Sequence, residues 1–170
     1  MAAPDFPLHE KIQGLSWILG EWSGQGEGHY PTIPSFKYME TITFTHAGKP
    51  VIAYSQKTRK LMEDGSMGPP MHAESGFLRP SPGAGPHGFE MVIAQGSGLA
   101  EVQKGPYDAE ARTFTFHSSV VGNATKVLEI QRTMRHDEGA DAIMYEVGMS
   151  TVDQPMQEHL RATPAVMPSL

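Results

Sequence analysis

The chain has 170 residues, carries a formal net charge of −6 and contains no cysteine. This length suits one domain with its own hydrophobic core. The lack of cysteine excludes disulfides, thiolate metal sites and a thiolate nucleophile. Acidic and basic residues are interspersed, which argues against a surface built to bind a nucleic-acid backbone.

Export and membrane signals are absent from the pattern. Residues 1–10 lack the cationic start and apolar run of a secretory signal peptide. No segment approaches the roughly 20 apolar residues that a membrane helix needs. We therefore expect one domain over residues 1–170, in a cytoplasmic or nuclear setting, with no membrane and no nucleic acid as a partner.

The first predicted element is helical and covers residues 7–19. Apolar residues recur there at spacings of three and four, the period of an amphipathic helix; they are Leu8, Ile12, Leu15 and Leu19. Gly14 weakens a helix interior and is expected to divide the segment into two short turns. We predict an apolar plug that covers one end of a barrel or sandwich.

The segment 20–33 alternates at the period of a β-strand. One face carries two aromatic residues with three glycines between them, namely Trp22, Gly24, Gly26, Gly28 and Tyr30. A glycine inside a strand packs nothing, and it often marks a bend or the close approach of another group. Two interpretations follow: a strand that coils tightly in a small barrel, or a strand that leaves room for a flat, bulky ligand.

The rest of the chain repeats strand, turn, strand. The predicted strands are 36–46, 51–60, 71–79, 89–95, 99–103, 112–120, 125–134, 142–152 and 156–163. Segments 63–70 and 80–88 are predicted to be loops, and the tail 164–170 to be frayed. About ten short strands without an internal helix predict an all-β, up-and-down antiparallel barrel or a sandwich. A barrel of ten strands is wide enough to hold a ligand.

Among the eight histidines, His159 is a candidate metal ligand near the end of the last strand. It alternates with Gln157 and Arg161, a pattern that predicts an outward side chain. A ligand role for His159 requires a bend after Pro155 or a site at the mouth of the barrel.

The remaining histidines have weaker signals. His72 follows Met71 at the start of a strand, and alternation leaves open which of the two lines the interior. His46 closes its strand beside a turn, where a structural hydrogen bond is the expected role. The other five are predicted to be exposed: His9, His29, His87, His117 and His136. The chain carries no nucleophile elbow, phosphate-binding loop or dinucleotide fingerprint.

Several segments resemble one family. The run Gly20-Glu21-Trp22-Ser23-Gly24-Gln25-Gly26 resembles the Gly-x-Trp-x-Gly-x-Gly motif of the nitrobindins. Four further segments are similar to that family, in the same order: 30–33, 72–80, 121–127, and 154–156 leading to His159 and Leu160. The resemblance extends from about residue 15 to residue 163, which is nearly the whole chain.

The resemblance implies a fold and a chemistry. Nitrobindins are antiparallel barrels of about ten strands that bind one haem b per chain, with ferric iron held by a histidine near the C-terminus; His159 matches that position. The family binds nitric oxide and isomerises peroxynitrite to nitrate. The chain is therefore expected to be a peroxynitrite isomerase whose metal-binding and catalytic residue is His159.

Further cofactor contacts are implied by the same resemblance. Thr32, Met71, His72 and Met149 match positions around the family's pocket. Lys126 is a candidate partner for a haem propionate, with an exposed turn lysine as the other interpretation. The glycine strand would supply a slot for the flat macrocycle, through Gly20, Trp22, Gly24 and Gly26.

Two other functions share parts of this pattern. A lipocalin-like or fatty-acid carrier barrel also has a Gly-x-Trp start and a helical plug, and it would need a buried arginine to bind a carboxylate; Arg112 and Arg132 lie on predicted strands. A non-catalytic nitric-oxide sensor would share the haem and His159. The oligomeric state is left open by the sequence.

Overall fold

Eleven antiparallel strands follow a short 3₁₀ helix in the computed structural model, which describes residues 6–167. The helix is Glu10–Ile18. The strands are β1 Gly20–Tyr30, β2 Ile33–His46, β3 Ile52–Leu61, β4 Met67–Pro80, β5 Gly88–Gln95, β6 Ala100–Asp108, β7 Thr113–Gly122, β8 Val127–Asp137, β9 Ala142–Thr151, β10 Gln154–Ala162 and β11 Ala165–Val166. No helix among these described residues is long and apolar enough to span a membrane.

The strands close into a barrel because β1 pairs on both sides. It pairs with β2 along most of its length, and its second half pairs with β10 through Gly26↔Ala162 and Gly28↔Leu160. The two-residue β11 covers the first half of β1 through Trp22↔Val166. From β2 to β10, each strand pairs with the one before or after it along the chain, and β11 also pairs with β9. The predicted up-and-down barrel of about ten strands is confirmed.

Several predicted boundaries are wrong. Residues 67–70 were expected in a loop but begin β4, where Met67 pairs with Leu61. The predicted frayed tail contains β11, although residues 168–170 lie outside the described part of the chain. Both segments gain backbone hydrogen bonds from a neighbouring strand, which local turn signals do not reveal.

The alternation of β1 is confirmed, and the structure decides between its two interpretations. A Cβ on Gly26 would lie 2.3 Å from the ring of Tyr38, and one on Gly28 would lie 2.3 Å from the ring of Phe36. A Cβ on Gly24 would lie 2.6 Å from the backbone of Pro164. The glycines therefore make room for residues of this chain, and the suggestion that they leave a slot for a ligand is wrong.

The helix plugs one end of the barrel, as predicted, but it does so as one continuous segment through Gly14. Ile12, Leu15 and Ile18 are buried beneath it. Trp22 Nε1 donates a hydrogen bond to the Ile18 carbonyl at 2.8 Å. We call this the closed end. The opposite, open end is surrounded by the ends of β1, β3, β5, β7 and β9 and the starts of β2, β4, β6, β8 and β10.

One histidine was misplaced by the sequence pattern. His136 was predicted to be exposed, but its side chain is 8% exposed. Its ring stacks on Trp17 at a centroid distance of 5.0 Å. The plug covers His136 from above, and that contact links two segments far apart in the chain.

Candidate functional site

A cavity of about 230 Å³ lies inside the open end of the barrel. Its wall combines apolar and polar side chains: Phe36, Tyr38, Gln56, Thr58, Met71, His72, Glu74, Gln95, Leu99, Glu101, Val127, Ile130, Arg132, Tyr145, Val147, Met149, His159 and Leu160. Met71 and the side chain of His72 are 43% and 34% exposed, so the cavity opens to solvent beside them.

His159 reaches this cavity because β10 is irregular. Glu158 pairs with Gly148 and Leu160 pairs with Val147, so two successive residues of β9 face three residues of β10. His159 is the extra residue, and a β-bulge of this kind re-aims a side chain. His159 and Leu160 both line the cavity as a result. The outward orientation that simple alternation predicts for His159 is wrong, and the required bend is this bulge.

The imidazole of His159 is held in one orientation. Its Nδ1 lies 3.1 Å from the backbone carbonyl of His29, and its ring meets Tyr30 edge-on at a centroid distance of 5.4 Å. A carbonyl can only accept, so Nδ1 carries the proton and Nε2 keeps its lone pair. Burial lowers the pKa of His159, which favours the neutral ring. A neutral imidazole fixed through its other nitrogen is the form that binds a metal.

The structure brings some of the predicted site residues together and leaves others outside. Met71, His72 and Met149 line the cavity with His159. Lys126 is an exposed turn residue, but it directly precedes Val127, which lines the cavity. Thr32 is exposed in the turn after Tyr30, the residue that contacts His159.

The four predicted contacts on the glycine strand do not line the cavity. Trp22 is 1% exposed and packs near the closed end, and Gly20 begins β1 beside it. The space before Gly24 and Gly26 is occupied by Pro164 and Tyr38. The strand acts on the site indirectly, because its glycines let Tyr38 and Phe36 pack inward and form part of the cavity wall.

Sequence reasoning missed a buried ion pair at the base of the cavity. Arg132 Nη2 lies 3.0 Å from Glu74 Oε1, and the two side chains are 7% and 3% exposed. Tyr54 donates a hydrogen bond to the same oxygen at 2.5 Å. Burial alone would raise the pKa of Glu74, but the charge of Arg132 and hydrogen bonds from His72 and Tyr54 outweigh it and lower this pKa to about 2. Glu74 is therefore a carboxylate.

A second carboxyl group extends this network inward. Gln56 Nε2 and the Tyr145 hydroxyl both donate to Glu40 Oε2, the latter at 2.6 Å. Tyr145 also shares a hydrogen bond of 2.9 Å with the hydroxyl of Tyr38. Burial raises the pKa of Glu40 to about 7, although these hydrogen bonds oppose the shift. The two buried glutamates therefore have opposite protonation preferences.

A sequence signal for this network existed. Glu74 lies two residues after His72 and four before Leu78, so period-two alternation places all three on one face. Burial of Leu78 identifies that face as the inner one. What the alternation does not reveal is Arg132 as a partner, because β4 and β8 lie on different parts of the barrel wall.

Comparison with known proteins places the chain in a family. A family model described as "THAP4-like, heme-binding beta-barrel domain" matches residues 11–164. A peroxynitrite isomerase of Arabidopsis thaliana is 52% identical over 92% of this chain and 89% of its own length. Peroxynitrite isomerase 1 of Mycolicibacterium paratuberculosis is 41% identical over 91% of this chain and 94% of its own length.

Solved structures agree with this placement. The crystal structure of Rv2717c from M. tuberculosis superposes with a TM-score of 0.81 at 34% identity and covers 95% of this chain and 100% of its own. An S-type phycobiliprotein lyase from Guillardia theta, at 12% identity and a TM-score of 0.61, covers 96% of this chain and 100% of its own and shares the fold alone. The resemblance to nitrobindins is confirmed, and the chain belongs to the family of THAP4-like, heme-binding β-barrel domains.

Proposed function

We propose that this chain binds one ferric haem b through His159 at the open end of the barrel, and that it isomerises peroxynitrite to nitrate there. Nitric oxide is the second small molecule that we expect at the site. The observation that carries the proposal is the bulge in β10, which turns His159 into the cavity with Nδ1 bound to the His29 carbonyl; among residues 6–167 no hydrogen bond occupies Nε2. The names of the relatives support the choice of substrate.

The residues present fit a haem. His159 offers the nitrogen donor that haem iron accepts in many proteins. Phe36, Leu99, Val147 and Leu160 give the cavity an apolar wall suited to a porphyrin. The volume of about 230 Å³ lies below the roughly 300 Å³ at which pockets that bury most of a ligand begin. A haem held here would keep part of its surface in water, and contact with water would favour the more charged, ferric state.

The chain and the haem have separate tasks. Bound through His159, ferric haem would supply a Lewis acid for a small nitrogen oxide. The chain fixes the orientation of the His159 ring and surrounds the buried part of the cavity with an apolar wall. Lys126 and Thr32 remain proposed haem contacts on the basis of their positions beside Val127 and Tyr30.

A fatty-acid carrier is less well supported. Such a carrier needs a buried arginine whose charge is available to a carboxylate. The charge of Arg132 is compensated by Glu74 at 3.0 Å. Arg112 Nη1 lies 2.8 Å from Glu138 and 3.1 Å from His136 Nδ1, at the closed end.

The test is a ferric haem titration followed by absorption spectroscopy, on the wild type, on His159→Ala and on His117→Ala. His117 lies on the outer face of β7 and serves as the matched control. We expect saturable one-to-one binding in the wild type and the control, and a displaced or lost absorption band in His159→Ala. Full haem binding by His159→Ala would contradict the proposed ligand.

Turnover separates an enzyme from a sensor. The loaded wild type and control should accelerate peroxynitrite decay and raise the yield of nitrate, and His159→Ala should lose most of that acceleration. A loaded wild type that binds nitric oxide but leaves peroxynitrite decay unchanged would support the sensor and contradict the isomerase.

A further inference from the structure

Two histidines line the cavity, and each has one ring nitrogen already held by the chain. His159 is held through Nδ1 by a backbone carbonyl. His72 is held through the other nitrogen: its Nε2 lies 3.0 Å from Glu74 Oε2. The proposed function uses only the first of these histidines, so the arrangement around His72 calls for its own explanation.

Glu74 determines which nitrogen of His72 carries a proton. Arg132 and Tyr54 occupy the other oxygen of Glu74, at 3.0 Å and 2.5 Å, and keep the group ionised. An ionised carboxylate only accepts hydrogen bonds. His72 Nε2 must therefore carry the hydrogen, and in the neutral ring Nδ1 keeps a lone pair.

The backbone of His72 is fixed as well. Its amide donates a hydrogen bond to Thr58 Oγ1 at 3.0 Å, and that hydroxyl lies 3.4 Å from the His72 carbonyl. In the described part of the chain no hydrogen bond reaches His72 Nδ1. The one uncommitted nitrogen of this ring is thus available at the wall of the cavity.

His72 is poorly suited to hold haem iron itself. Nε2 is occupied by Glu74, and Nδ1 adjoins the ring carbon that carries the rest of the side chain, which hinders the approach of a flat macrocycle. His159 has the opposite arrangement, with the unhindered Nε2 free. The two histidines therefore divide into one metal donor and one acceptor for hydrogen bonds.

We propose that His72 selects among small ligands of this cavity, and that Glu74 is its positioning residue. Neutral His72 presents only an acceptor at Nδ1, so it stabilises ligands that carry an O–H or N–H hydrogen and contributes nothing to ligands that lack one. Arg132 and Tyr54 hold the carboxylate that sets this polarity. The inference rests on the proposed haem site, since the selected ligand is one bound there.

The first test needs no haem. Long-range proton–nitrogen NMR on histidine-labelled, haem-free protein reports which ring nitrogen of His72 is protonated, and His72→Gln assigns the signal. At mildly alkaline pH, where imidazole is neutral, we expect the Nε2–H form in the wild type. A ring protonated at Nδ1, or a mixture of both forms, would overturn the proposal.

Removal of the Glu74 charge should allow the His72 ring to carry its proton on either nitrogen. Glu74→Gln alone leaves Arg132 buried without its partner and can prevent folding. The double variant Glu74→Gln/Arg132→Met removes both charges, and circular dichroism verifies its fold. We expect mixed protonation of His72 in the double variant; a ring that keeps the pure Nε2–H form would show that Glu74 does not set it.

The second test compares two probes, one that carries an N–H hydrogen and one in which a methyl group replaces that hydrogen. Imidazole bound to the ferric, haem-loaded protein keeps an N–H group, and N-methylimidazole does not. We measure the ratio of their dissociation constants in the wild type, in the double variant and in His117→Gln. The double variant should reduce the preference for imidazole by about two- to twelvefold, the range expected for one hydrogen bond, and the control should retain it.

The two tests separate this inference from the haem proposal. A chain that takes up no haem contradicts the proposed function, and the NMR result still decides the orientation of His72. A chain that binds haem with an unchanged probe ratio in the double variant contradicts the selecting role of His72 alone.

Discussion

The two ends of this barrel are built from the same strands and filled in opposite ways. At the closed end, Phe114 stacks on Phe116 at a centroid distance of 5.2 Å and meets Tyr107 at 4.5 Å and Phe89 at 5.6 Å. At the open end, the interior holds a carboxylate, a guanidinium, a protonatable glutamate and two histidines.

This difference in packing indicates that the closed end stabilises the fold and that the open end holds the functional groups. Apolar burial stabilises a fold without further conditions, at about 25 cal/mol for each Å² removed from water. Buried polar groups cost free energy unless their hydrogen bonds are complete. Within residues 6–167, three buried side-chain atoms have no hydrogen-bond partner: Glu40 Oε1, Gln103 Oε1 and Arg132 Nε. We infer that the closed end carries the stability and that the open end retains its polar groups at some cost.

The largest effect on stability should come from the closed end. Phe114→Ala removes a ring with no exposure to solvent, and such a truncation costs about 3–5 kcal/mol of unfolding free energy. Urea unfolding measures it, with Val120→Ala on the same strand as the control, because Val120 is 54% exposed. A loss below about 1 kcal/mol would contradict the assignment of stability to this end.

The polar groups at the open end should instead make the stability of the protein depend on pH. Burial raises the pKa of Glu40 from its ordinary value of 4.5 to about 7. The folded state therefore favours the protonated carboxyl group; the contribution of Glu40 to stability is fully present below about pH 4.5, and about 3 kcal/mol of it is lost as the pH rises to about 7. Glu74, with a pKa of about 2, stays ionised throughout this range.

Glu40→Gln tests this loss, because the amide cannot ionise. Urea unfolding across this pH range should show the wild type losing stability relative to Glu40→Gln. Glu146→Gln, an exposed position on β9, is the control and should follow the wild type. Parallel pH profiles for the wild type and Glu40→Gln would rule out a titrating Glu40.

The smallest effect on stability is expected from a substitution in β1, whose glycines make room for residues of the cavity wall. Gly26→Ala places a methyl group 2.3 Å from the ring of buried Tyr38, and forced repacking of this kind costs about 1–3 kcal/mol. Because Tyr38 lines the cavity, haem affinity should fall with it. Gly14→Ala is the control, since a Cβ there would meet nothing within 4 Å. Equal stability of the two variants would show that the Tyr38 ring moves freely.

Local patterns predicted the frame of the molecule well. The alternation of Trp22, Gly26 and Tyr30 identified the inner face of β1, and the three-and-four spacing of Ile12 and Leu15 identified the plug. These patterns depend on backbone geometry, which is the same in every strand or helix. The family resemblance identified His159 as the candidate ligand, although its local alternation indicated the opposite orientation.

The chemistry of the open end could not be predicted in the same way. Arg132 pairs with Glu74 across 58 residues of sequence, and the Tyr38–Tyr145 hydrogen bond spans 107. The glycines of β1 illustrate the limit: their pattern was visible, but only the structure shows that Tyr38 and Phe36 fill the space before them.

By itself, the sequence determined that this chain forms a β-barrel with a plugged end, because strand period, turn residues and apolar spacing act over a few neighbouring residues. The tertiary structure alone decided that His159 faces inward, since the bulge depends on the register between β10 and β9. It also decided the protonation of Glu40 and Glu74, because a buried charge is set by the partners that other strands bring to it.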